Sequence, residues 1–88
     1  MNDQEKARRG ERARQLLKDP LIEESLETLR RITFGNIASS HYSKVEERED
    51  LYKMLQAIKG FENNFKKIMR DGELAKSRLE QLKDKFKR

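Results

Sequence analysis

The sequence predicts an all-α protein, a helical hairpin whose long C-terminal helix carries a heptad repeat and is coiled-coil-like and oligomeric. Three observations carry this. The first is a heptad that runs from Leu51 to Phe86 without insertion, with Leu51, Ile58, Phe65, Gly72, Leu79 and Phe86 at a and Met54, Phe61, Ile68, Ala75 and Leu82 at d. Ten of these eleven sites are apolar, Gly72 being the exception, which is the pattern of one helix burying a narrow seam against another. The second is helical apolar spacing on both sides of the pair Asp19-Pro20. The third is the short polar, uncharged run from Ser39 to Ser43, which reads as a connecting loop. One domain over 1–88 follows, with helices over 4–18, 20–38 and 44–86.

Residues 3 to 18 form a basic helix in this reading. Ala13, Leu16 and Leu17 make its apolar patch, surrounded by Arg8, Arg9, Arg12 and Arg14. Gly10 weakens it by about 1 kcal/mol relative to alanine. The helix ends at Lys18 or Asp19, because proline disfavours helical geometry at the residue before it. Asp19 then serves as N-cap of the second helix, with Pro20 at its first position and Glu23 and Glu24 in its first turn. Ile22, Leu26, Leu29, Thr33 and Ile37 lie on one stripe of that helix, so it packs inward and covers about half of the third.

Ser43 followed by Glu46 has capping-box spacing, placing the start of the long helix near Lys44. Glu46, Glu47, Glu49 and Asp50 suit the positive end of its dipole, which explains the acidic cluster without a metal. From Leu51 to Phe86 the helix would be roughly 54 Å long at about 1.5 Å per residue. Asp71-Gly72 is a turn dipeptide, but the apolar phase holds across it, which predicts a continuous helix. Gly72→Ala is then neutral or stabilising, provided the seam has room for a methyl group, and Gly72→Pro strongly destabilising. Leu55, Ala57 and Met69 broaden the first half of the seam, whereas Lys76, Arg78, Lys83 and Lys85 edge the second. Leu51 to Met69 therefore packs on the N-terminal helices, and Leu74 to Phe86 projects as an arm that needs a partner.

With 88 residues, 34% of them apolar and 42% charged, the chain has room for one thin core, and chains of that kind gain stability by association. There is no cysteine, hence no disulfide or thiolate metal site. No apolar run is long enough to span a bilayer and no secretory signal opens the chain, so the expected location is the cytosol and the expected partners include no membrane. The net charge of +5 is laid out as six Lys/Arg against three Asp/Glu over 1–18, six against nine over 19–65, and nine against four over 66–88. The basic ends make Arg8, Arg9, Arg12, Lys76, Arg78 and Lys83 candidate phosphate contacts, against the plainer reading of a solvated surface.

Catalytic chemistry is not visible. His41 is the single histidine, no nucleophile or cleft-forming element accompanies it, and no phosphate loop or dinucleotide fingerprint is present. The expectation is a non-enzymatic protein without cofactor or metal.

The run Gly10-Glu11-Arg12-Ala13-Arg14-Gln15-Leu16-Leu17-Lys18-Asp19-Pro20-Leu21, then Arg48, Leu51 and Met54-Leu55-Gln56-Ala57-Ile58, and finally Asp71-Gly72-Glu73-Leu74-Ala75 with Leu79, resembles small helical proteins of tailed bacteriophages and prophages, of the kind encoded among head and packaging genes. The resemblance spans most of residues 10 to 82 and rests on helix punctuation and apolar spacing. Tyr52 stands where a bulkier aromatic is expected. It implies a virus-encoded structural or assembly protein in the host cytoplasm or virion, associating with itself and with other virion or packaging proteins, and it transfers no catalytic residue. The expected function is thus virion assembly or DNA packaging through oligomerisation of the long helix. The alternatives are a nucleic-acid-binding protein using its basic ends on phosphate, and a helical adaptor or inhibitor of a host protein. The acidic start of the second helix counts against sequence-specific reading of DNA.

Overall fold

A computed structural model describes residues 1–86; Lys87 and Arg88, the last two of the expected 1–88 domain, lie outside the described residues. Among these residues there are three helices and no strand: α1 (Asp3–Lys18), α2 (Pro20–Ser39) and α3 (Val45–Phe86). The helical hairpin expected from the heptad run is the observed architecture. One limb is α3, continuous for 42 residues through Asp71 and Gly72, neither glycine nor any other residue having positive φ. The other limb is α1 followed by α2, broken at one residue and running antiparallel to α3.

Asp19 makes the break. Its backbone is extended (φ −63°, ψ 124°), as the following proline demands, and its Oδ1 accepts from the amides of Leu21 (2.8 Å) and Ile22 (3.4 Å). Asn2 caps α1 in the same manner, its Oδ1 accepting from the Glu5 amide at 2.8 Å. The third helix starts differently from expectation. Ser43 turns its hydroxyl onto His41 Nδ1 at 2.7 Å, no capping box forms with Glu46, and α3 begins at Val45. The loop is gathered by Arg48 instead, which donates to the carbonyls of His41 (2.6 Å) and Tyr42 (2.8 Å) and to Ser40 Oγ (3.3 Å).

α2 lies on the first half of α3 and α1 on the second. The expected free arm is therefore corrected: Gly72 and Ala75 are buried beneath α1, and Asp3 reaches Arg78 (3.2 and 3.3 Å). Only the last turns, with Leu82 and Phe86 exposed, extend beyond that cover. Sequence reasoning gave all of α1 and α2 to Leu51–Met69, but two helices joined by a single extended residue cannot double back, so they follow α3 end to end.

The crossing of α1 and α3 is set by two glycines. A Cβ on Gly72 would lie 2.7 Å from Gly10 Cα and 2.8 Å from the Lys6 carbonyl oxygen. One on Gly10 would lie 2.8 Å from Gly72 Cα. The backbones touch there, and the room for a methyl group on which a harmless Gly72→Ala depended is absent. Gly10, read as a weak point of α1, is half of that contact.

Candidate docking face on α2 and α3

The molecule measures 71 × 24 × 15 Å, so its thin dimension is about one helix diameter. It is a single layer of helices with two broad faces. The core between the limbs is correspondingly thin: Ala13, Leu26, Ile58 and Ala75 are its buried apolar residues, and among the described residues no large side chain is fully enclosed. Thr33 is buried among them with its hydroxyl donating to the Leu29 carbonyl at 2.7 Å.

The seam is used unevenly. The a positions Ile58 and Gly72 are buried and Leu51, Phe65 and Leu79 half-buried, all against the chain's own α1 and α2. In the first half of α3 the e positions Leu55, Glu62 and Met69 accompany them inward. The d positions Met54 and Phe61 are rotated out and stay about half exposed (54% and 50%). Ile68 is half-buried, Ala75 buried, and Leu82 and Phe86 exposed. A strict a/d seam suits two equal helices; a helix packed on one broken limb inclines its buried stripe toward e.

That rotation leaves the middle of one broad face without charge, between Glu47 and Asp50 at one end and Lys6, Arg9 and Asp71 at the other. Helical spacing puts Leu21, Ile22, Ser25, Leu29, Ile32, Asn36 and Ser39 on one side of α2, and Met54, Ala57, Phe61, Asn64 and Ile68 on the adjoining side of α3. None of the twelve is ionisable, and the α2 side runs roughly 27 Å at about 1.5 Å per residue. Between the helices lies an open groove of about 350 Å³ lined by Ile22, Leu26, Leu29, Ala57, Ile58 and Phe61, with Ser25 at its rim. Phe61 is held edge-on to Phe65, ring centroids 5.0 Å apart. No set of polar groups converges in the groove, so it suits apolar side chains of a partner better than a small molecule.

The opposite face is charged. Glu23, Glu24, Glu27, Arg30 and Arg31 of α2 lie there, beside Lys59, Glu62, Asn63 and Lys66 of α3. Phe34 and Tyr52 are its exposed aromatic residues. Arg30 bridges the helices, donating to Glu62 and reaching Glu27 at 3.4 Å. In α1, the Arg14 guanidinium beside Glu11 holds that carboxyl below the ordinary carboxylate range, and Glu11 in turn raises Arg14.

The candidate phosphate-contacting side chains do not form one patch. Arg8 and Arg12 sit four residues apart on the solvent side of α1, and Arg9 donates to Met1 Sδ at 3.4 Å. Arg78 is held by Asp3. Lys76 lies beside Glu11, and Lys83 flanks Leu79, Leu82 and Phe86 at the far end of α3. His41 pairs with Ser43 in the loop. Among the described residues no cluster of His, Cys, Asp or Glu could hold a metal ion, and no helix is long and apolar enough to cross a membrane. The uncharged face escaped sequence reasoning because it is shared between two helices; its signal was the run of α2 positions 21, 22, 25, 29, 32, 36 and 39, all uncharged. No family model, curated protein or solved structure matches this chain.

Proposed function

We propose that this chain is a non-enzymatic assembly protein, a plate of two helical limbs that docks through the uncharged groove of its α2/α3 face, and that it serves virion assembly or DNA packaging as the resemblance to phage head and packaging proteins implies. One observation carries the docking role: the groove from Ile22 to Leu29 of α2 and from Ala57 to Phe61 of α3 has no charged residue in its lining, in a chain in which 42% of residues are charged. A face meant only for water has no reason to exclude charge, and contiguous apolar surface of this kind marks interaction sites. Leu21, Leu29, Ile32, Met54 and Phe61 each leave half or more of their surface exposed there.

Salt dependence tests the reading against binding to phosphate. Docking through an uncharged face persists or strengthens when salt rises from about 0.1 to 0.5 M, whereas phosphate binding falls steeply over that range. Light scattering of the protein alone and with duplex DNA, at both salt concentrations, reads the difference. Association seen only with DNA and abolished by salt would refute the docking reading in favour of a nucleic-acid-binding one.

A further inference from the structure

We infer that the occupant of the uncharged face is a second copy of this chain, related by a two-fold axis that crosses the plate near Leu29 and Phe61, so that two hairpins close into a four-helix bundle. The inference rests on the docking reading and names its partner.

Surface area argues for a second layer. A compact monomer of 10.5 kDa exposes about 5,400 Å², whereas this chain exposes 7349 Å². The excess of roughly 1,900 Å² is more than the roughly 800 Å² that each partner buries in a standard interface, so the chain has surface enough to cover one. Its cause is the single-layer shape, 15 Å thick; domains bury apolar helix faces by adding a layer, and this chain has no further helix to supply one among its described residues.

Charge argues that the layer is a copy. In a two-fold contact each patch meets itself, so any net charge on the patch faces its like. Each chain carries +5, and the uncharged groove around Leu29 and Phe61 is where two such chains meet without like charges opposed. An acidic or basic partner would find no counter-charge in the groove at the centre of this face, Glu47 and Asp50 lying only at its Asn36 and Ser39 end.

Shape argues the same way. Leu29 and Phe61 project beside a groove floored by Leu26 and Ile58, with the small Ser25 and Ala57 at its sides. Ridge and groove on one patch are what a self-complementary contact requires. The pairing differs from the heptad expectation. It uses the d side of α3 together with α2, because α1 and α2 of the same chain already occupy the a positions.

Sedimentation equilibrium at micromolar concentration tests it with four proteins. Wild type is expected at the mass of two chains. Ser25→Glu and Ala57→Glu, at exposed positions inside the face, are expected to keep their helix content by circular dichroism. Their dimers should weaken at least a hundredfold, because a buried carboxylate there has no partner. Asn63→Glu, on the charged face, is expected to remain dimeric. A wild type that stays at one chain mass to high micromolar concentration, or settles at any other stoichiometry, overturns the inference and leaves docking to a foreign partner standing. A wild-type dimer that Ser25→Glu and Ala57→Glu leave intact overturns the inference and the docking reading together.

Discussion

Replacing Gly72 by alanine should destabilise the protein, although the position is helical and alanine is the better helix former. The gain in helix propensity is about 1 kcal/mol. Against it stands a methyl carbon placed 2.7 Å from Gly10 Cα and 2.8 Å from the Lys6 carbonyl oxygen, where carbon contacts settle near 3.5–4.0 Å. Both obstacles are backbone, so no rotamer change relieves them and α1 must move outward by about 1 Å. Overpacking of this kind costs about 1–3 kcal/mol. The upper end applies because the shift also loosens Ala13 and Ala75, which pack in the same interface. The net expectation is a loss of about 1–2 kcal/mol. Urea denaturation followed by circular dichroism reads it as a lower midpoint at unchanged slope. Gly35→Ala supplies the control, since nothing lies within 4 Å of a Cβ there, and it should stabilise by about 0.5–1 kcal/mol. The double change Gly10→Ala with Gly72→Ala should cost less than the sum of the two, because one displaced helix accommodates both methyl groups. A Gly72→Ala protein as stable as wild type, or more so, would refute the close crossing of α1 and α3.

Ile58→Ala, in the thin core, should cost about 2–3 kcal/mol in the same denaturation assay, a large share of what a domain this small can hold. Asp19→Ala should cost about 1 kcal/mol by removing the cap of α2, with the loss read between α1 and α2 by amide exchange of Leu21 and Ile22. Glu62→Gln removes one partner of the half-buried link from Arg30 and should cost about 0.5–1 kcal/mol, less at high salt.

The elements that local chemistry decides were legible in the sequence. Asp19-Pro20 ends one helix and caps the next whatever lies around it, and the apolar phase from Ile68 to Leu79 requires a helix through Gly72. What depended on distant residues was not legible. Gly10 and Gly72 are 62 positions apart, and each alone reads as a weak helix residue; their shared meaning exists only in the crossing. The choice between a/d and a/e burial was fixed by the limb that α3 packs against, which the heptad cannot report. Ser43 had a cap's spacing, yet His41 offered its hydroxyl a nearer partner. Of the candidate residues along the seam, Ile58 and Ala75 proved to be core, whereas Met54 and Phe61 joined a face assembled from two helices.

Cysteine reactivity tests the uncharged face most directly, because the chain has no cysteine of its own and a single introduced thiol reports one location. Ser25→Cys lies within the face and Asn63→Cys on the charged side, both exposed in the single chain. Alkylation is followed from nanomolar to high micromolar protein. The account predicts that Ser25→Cys becomes protected as concentration rises, while Asn63→Cys reacts at one rate throughout. Equal, concentration-independent rates at the two positions would contradict the claim that this face is where copies of the chain meet.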